Sequence, residues 1–101
     1  MIQSKLIKNY KNISHGFFNK QDGYSKGIYK SLNCGIGSND NKKNVTKNLK
    51  IVSKKIGVKK KLILLHQLHS NKIYFVNKIS KKKLLGDGLI TNTKHVAIGI
   101  L

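Results

Sequence analysis

The sequence predicts an α/β fold in which one clear helix packs on a mixed sheet. A segment near the middle of the chain repeats apolar residues at helical spacing, with lysines on the other side. Shorter apolar segments before and after it have the composition and alternation of strands. This order is typical of a mixed α/β domain, and 101 residues suffice for one small domain or part of a larger one.

The residues before the helix are predicted to form short strands and an ordered loop. Lys5–Ile7 could form an edge strand and Ile13–Phe18 a second strand, while Gln21–Gly23 has the composition of a turn. The glycine-rich residues that follow, as far as Gly37, include apolar anchors such as Ile28. We therefore expect an ordered loop with short strands in this region rather than a flexible linker.

The helix itself is predicted from its apolar stripe and from the residues at its two ends. The stripe follows the spacing i, i+4, i+7 and i+11, at Val45, Leu49, Val52 and Ile56. The N-terminus can be capped by any of three polar residues, Ser38, Asn39 or Asp40. Gly57 lies where a left-handed residue commonly ends a helix.

Four further strands are predicted after the helix. They are a buried strand, a half-buried strand, a short strand and an apolar terminal strand, at Leu62–His69, Lys72–Val76, Leu89–Thr91 and His95–Leu101. Lys78–Leu85 is predicted to be a polar connection. Because the last predicted strand has no cap or turn after it, we expect the domain to be incomplete.

The chain has a net charge of +18, and all of its Lys and Arg positions are occupied by lysine. A basic surface attracts nucleic acid. However, proteins that recognise phosphates and bases usually use arginine, which is absent here. The abundance of Lys, Asn and Ile can also result from a compositional bias rather than from selection for binding. We expect nucleic-acid binding to be unlikely, although the charge does not exclude it. No apolar run is long enough to cross a membrane, and the single Cys34 fits a reducing cytoplasm.

Two histidines, His66 and His69, lie in the most apolar part of the sequence. On a strand they would point to opposite faces, so at most one belongs to a given site. His69 is predicted at the strand end, where functional residues often lie on loops. A lone histidine is more often structural or exposed than a metal ligand, so spacing alone leaves its role open.

The other reactive residues have plausible structural roles as well. We expect His15 to bond to backbone, His95 to be exposed in a turn, and Cys34 to be a packed thiol. Asp87 lies between two glycines, where it could bind a cation or a substrate hydroxyl. Its carboxylate could equally bond to the amides of a turn.

Six segments, taken in order, resemble the laccase-domain or polyphenol oxidoreductase family. Members of this family are also known as peptidoglycan editing factors and as purine nucleoside phosphorylases. The segments are His15–Phe18, Gly23–Gly27, Tyr29–Gly35, Gly37–Asp40, Gln67–Ser70 and Gly86–Thr91, and in the helix Val45 and Asn48 also match the family pattern. The resemblance extends from about Ile13 to Leu101.

The resemblance implies a layered α/β sandwich shared with a toxin catalytic domain. It implies zinc-dependent phosphorolysis of adenosine, inosine, guanosine and methylthioadenosine, together with adenosine deaminase activity. The purine nucleosides and phosphate would then be the partners. The zinc ligands in the family are a His of a Q-V-H motif, a Cys of a later T-A-D-C motif and a still later His. Only the first maps here, onto His69, and copper is an alternative metal.

The resemblance also suggests substrate contacts at Lys20, Asn33 and Asp87. The chain departs from the family pattern because it lacks the later cysteine and histidine motifs. We therefore expect residues 1–101 to be the N-terminal part of one catalytic domain, inactive without the remaining part. The main alternative is a non-enzymatic basic module that binds RNA or ribosomes.

Overall fold

The computed structural model describes residues 1–78 and 82–101, which divide into two units, residues 1–57 and 58–101. The α/β class predicted from the sequence is confirmed. The described residues contain one long helix and short strands in two small sheets. No helix in this described part is long and apolar enough to span a membrane.

The first unit begins with a one-turn helix, α1, at Lys5–Lys8. The predicted edge strand at Lys5–Ile7 is therefore wrong. The reason is local, because the Ser4 hydroxyl accepts a hydrogen bond from the Ile7 N–H at 3.4 Å and caps the helix. The predicted strand at Ile13–Phe18 is reduced to one antiparallel bridge between Phe17 and Ile2.

Residues 19–41 form an ordered loop, as predicted, but the loop contains no strand. Its one regular turn is a 3₁₀ helix at Gly27–Tyr29. The Lys20 carbonyl accepts three hydrogen bonds, from the N–H and hydroxyl of Ser31 and the N–H of Leu32. Hydrogen bonds within the loop therefore replace pairing with a strand here.

The long helix, α2, extends over Lys42–Lys55, where the sequence predicted it. Its N-cap is Asn41, whose side chain accepts the Lys43 N–H at 2.9 Å. None of the three predicted caps is used, because Asp40 instead accepts the Asn41 N–H at 2.7 Å. Gly57 has a φ of 76°, which confirms the left-handed residue expected after the helix.

The second unit contains two parallel pairs of short strands. The first pair joins β1, Leu62–Ile63, to β4, Ala97–Ile98. The second joins β2, Ile73–Phe75, to β3, Gly88–Ile90. Strands β1, β2 and β4 are shorter than predicted, whereas β3 has the predicted length and begins one residue earlier. Part of the predicted connection at 78–85 lies outside the described residues.

The predicted strand at Leu62–His69 ends at Ile63. Beyond it, His66 makes a single parallel bridge to Leu85. The N–H groups of Leu68 and His69 bond to a side chain instead of a neighbouring strand. The apolar residues that are buried here are Leu62, Ile63 and Leu65.

Candidate site at the His69 turn

His69 lies in a turn and its side chain is exposed. Because β1 ends at Ile63, the prediction that a strand ends at His69 is wrong. Its φ of 56° is in the left-handed region, which histidine adopts more readily than most residues with a Cβ. An exposed imidazole needs no internal partner, and it is accessible to a metal ion or a substrate.

The carboxylate of Asp87 accepts four hydrogen bonds from the turn that contains His69. Oδ1 accepts the N–H groups of Leu68 at 3.0 Å and His69 at 2.9 Å. Oδ2 accepts the Ser70 N–H at 2.7 Å and the Ser70 hydroxyl at 2.6 Å. Since a carboxylate has about four acceptor positions, the four donors of the turn occupy all of those of Asp87.

These hydrogen bonds hold the pKa of Asp87 below its ordinary value. The Ser70 hydroxyl has the largest effect, and the N–H groups of Ser70, His69 and Leu68 add to it, while partial loss of solvent acts in the opposite direction. Each donor stabilises the charged carboxylate. Asp87 is therefore an anion at neutral pH, and the turn surrounds that charge with donors.

Backbone hydrogen bonds join the Asp87 loop to both ends of the turn. On one side, the Gly86 N–H donates to the His66 carbonyl at 3.1 Å. On the other, the N–H groups of Asp87 and Gly88 donate to the Lys72 carbonyl at 3.0 and 3.2 Å. The loop therefore contacts the turn before, within and after the position of His69.

Gly86 allows this close approach because it has no Cβ. A Cβ built there would lie 2.9 Å from Cε2 of Tyr74 and 3.0 Å from the Lys72 carbonyl oxygen. The Tyr74 hydroxyl also donates to the Leu85 carbonyl at 3.1 Å. The sequence Gly-Asp-Gly thus places a carboxylate between two residues that permit tight backbone packing.

The other histidines lie elsewhere or are used differently. His15 accepts the Ser4 N–H on Nε2 at 2.8 Å, which confirms the expected bond to backbone. His95 is exposed in a turn with a φ of 64°, as expected. His66 is half-buried and its backbone bonds to Leu84 and Gly86.

Lys20 and Asn33, the predicted substrate contacts of the first unit, belong to the ordered loop. Lys20 is exposed, and its carbonyl is held by Ser31 and Leu32. Asn33 donates both amide hydrogens within the unit, to Ser38 Oγ at 3.0 Å and Asp40 Oδ2 at 3.1 Å. Asn33 therefore holds the loop together, whereas the Lys20 ammonium is presented to solvent.

The centre of this polar network is Asn48 on α2, a residue that matched the family pattern but whose structural role was not predicted from the sequence. Its side chain is fully buried, accepts the Tyr24 N–H at 2.7 Å, and donates to Ser25 Oγ at 2.9 Å and the Asn33 carbonyl at 2.8 Å. A polar residue three positions after Val45, on the buried face of the helix, was the available signal.

The network continues from Ser25 to Asp40. The Ser25 hydroxyl donates to Asp40 Oδ2 at 2.5 Å. This bond is the main reason that the pKa of Asp40 is lowered; Asn33 and the Asn41 N–H lower it further, and partial burial opposes them. No buried polar side-chain atom in the described ranges lacks a hydrogen-bond partner.

Within residues 1–78 and 82–101, no group of three or more His, Cys, Asp or Glu side chains is arranged to hold a metal ion. Cys34 is half-buried, and burial raises the pKa of its thiol, as expected of a packed cysteine. Catalytic zinc usually has three protein ligands. His69 fits one of those positions by chemistry and exposure, but these residues do not form a complete zinc site.

A family model described as multi-copper polyphenol oxidoreductase laccase matches residues 14–101, which include parts of both units. No curated protein matches the chain significantly.

Proposed function

Because the chain belongs to the multi-copper polyphenol oxidoreductase laccase family, we propose that it forms part of a zinc-dependent purine nucleoside phosphorylase. The reaction would transfer the ribosyl group of adenosine, inosine, guanosine or methylthioadenosine to phosphate, and adenosine would also be deaminated. The cytoplasm, where these nucleosides and phosphate are available, is the proposed location.

The observation that supports the proposal most strongly is the exposed His69 on a turn bound by Asp87. A metal ligand must be accessible and held in place, and the His69 turn meets both requirements. When bound, zinc would supply Lewis acidity toward a phosphate or water oxygen. Imidazole binds copper as well as zinc, so the metal is part of the proposal to be tested.

The remaining ligands would come from the rest of the domain. One histidine cannot provide the three protein ligands of a catalytic zinc site, and the described residues offer no cluster that could do so. We therefore propose that a further polypeptide segment supplies a cysteine and a histidine. The protein-coding DNA that follows the codon for Leu101 tests this directly, since it should encode Thr-Ala-Asp-Cys.

The first unit would contribute contacts to substrate. The exposed Lys20 can neutralise a phosphate charge, although it cannot form the two-pronged contact of an arginine. Asn33 has already donated both amide hydrogens, so its proposed contact would use the remaining lone pair of Oδ1. Asp87 is not proposed as a contact, because both of its carboxylate oxygens already accept hydrogen bonds from the turn that contains His69.

An assay of nucleoside cleavage tests the proposed reaction. Residues 1–101, alone and combined with the segment that supplies the missing ligands, are stripped of metal and supplied with zinc or copper. Adenosine or inosine is then added with phosphate, and free base and ribose 1-phosphate are measured.

The combined protein with zinc should release base only when phosphate is present, and residues 1–101 alone should release none. Turnover by residues 1–101 alone would contradict the requirement for further ligands. Copper-dependent oxidation of a phenol, without nucleoside cleavage, would contradict the proposed reaction.

A further inference from the structure

Three successive backbone N–H groups, those of Leu68, His69 and Ser70, converge on one carboxylate. Such a run of amides forms a concavity that binds anions, and a left-handed residue is a common part of it. His69 is that residue here, with a φ of 56°. The anion is supplied by the chain itself, from Asp87 on the loop before β3.

The Asp87 carboxylate is occupied by these contacts. Each oxygen accepts two hydrogen bonds at 2.6 to 3.0 Å. A substrate hydroxyl or a cation would have to replace one of these donors, and a replaced amide would lose a charge-assisted bond. The geometry therefore favours an internal role for Asp87 over direct contact with substrate.

We propose that Asp87 is a positioning residue, which holds the Leu68–Ser70 turn in its left-handed form and so fixes the place from which the His69 ring reaches its ligand. The inference rests on the proposed function, because it assigns His69 a ligand. It goes further by giving Asp87 a role that does not involve touching substrate.

Hydrogen exchange of the backbone amides tests the first half of this proposal without any metal. In Asp87→Asn, one carboxylate oxygen becomes an NH₂ donor, so the turn amides bonded to that oxygen lose their acceptor and the others keep only a neutral one. Their exchange should become at least about tenfold faster, and the short amide-to-Hα distance of a left-handed His69 should be lost from NMR spectra. The Gly99 amide, which donates to the Ile63 carbonyl at 2.9 Å, is the internal reference.

Asp22→Asn is the matched control. Asp22 is an exposed aspartate of the first unit, so the control removes the same charge without changing a group that bonds to the Leu68–Ser70 turn. It should leave the turn amides as in the parent protein. Unchanged exchange at Leu68, His69 and Ser70 in Asp87→Asn, with Gly99 also unchanged, would overturn the proposal.

If Asp87→Asn unfolds the unit, a pair of variants at Ser70 decides the question. Ser70→Ala removes the hydroxyl that donates to Asp87 at 2.6 Å, whereas Ser70→Thr keeps a hydroxyl. Exchange at the turn should quicken in the alanine variant and return toward the parent value in the threonine variant. Equal exchange in both variants would overturn the proposal.

The second half of the proposal is tested by zinc affinity in the combined protein. Asp87→Asn should weaken binding roughly 10- to 100-fold, the range found for partners that orient metal-binding histidines. Faster exchange with undiminished zinc affinity would show that the turn does not position His69. If zinc binds without His69 at all, the proposed function fails while the exchange result still stands.

Discussion

At the scale of single residues, the most consequential side chain in the first unit is Asn48. It is fully buried on α2, and its amide bonds to Tyr24, Ser25 and the carbonyl of Asn33. A buried amide is tolerated because its hydrogen-bonding groups are satisfied. One helical residue therefore holds several points of the long loop.

Asn48→Ala should destabilise the protein by roughly 2–4 kcal/mol, because it creates a cavity and leaves buried polar groups without partners. Urea unfolding followed by circular dichroism measures this change. Asn44→Ala on the same helix is the control, since the Asn44 side chain is less buried, and it should cost much less. Equal destabilisation by the two variants would contradict the role given to Asn48.

Single-residue roles were predictable where they depended on local sequence. The exposed turn at His95 and the left-handed Gly57 follow from the residues around them. For Asp87, the sequence left open whether its carboxylate binds a cation or substrate hydroxyl or bonds to the amides of a turn. Its partners could not be identified because they are 17 to 19 positions earlier in the chain. The family resemblance assigns His69 to a metal site, and this assignment stays a prediction; the contact between the His69 N–H and Asp87 could not be predicted from local sequence.

At the scale of elements, the helix was predicted well and the strands were not. Helix α2 is specified by its own spacing and by Gly57, so its position was correct and only its cap, Asn41, was missed. A strand depends on a partner elsewhere in the chain, and apolar alternation does not reveal how many residues pair. This explains why Leu62–His69 was predicted as a strand when only Leu62–Ile63 pairs with β4.

The contact between the Asp87 loop and β2 gives a prediction at this scale. Gly86→Ala should destabilise the protein by roughly 1–3 kcal/mol, because the added methyl group would meet the Tyr74 ring and the Lys72 carbonyl at about 3 Å. Thermal unfolding measures the change. Gly27→Asn is the control, since nothing lies within 4 Å and asparagine tolerates its φ of 62°. A Gly86 variant as stable as this control would show that the loop can move away from β2.

At the scale of the whole molecule, family membership and net charge suggest different kinds of partner. The family match covers residues 14–101, whereas the charge of +18 by itself would favour a nucleic-acid partner. The lysines occur in both units and no arginine accompanies them. That nucleic acid is an unlikely partner remains a prediction of the sequence.

The central claim is that His69 is the metal ligand that this chain contributes to a zinc-dependent active site. The most direct test compares His69→Ala with His95→Ala in the combined protein, because both histidines are exposed and left-handed. Zinc content and phosphate-dependent cleavage of inosine are measured for both. The account predicts that His69→Ala loses bound zinc and activity, while His95→Ala keeps both. Full zinc content and parental activity in His69→Ala would contradict it.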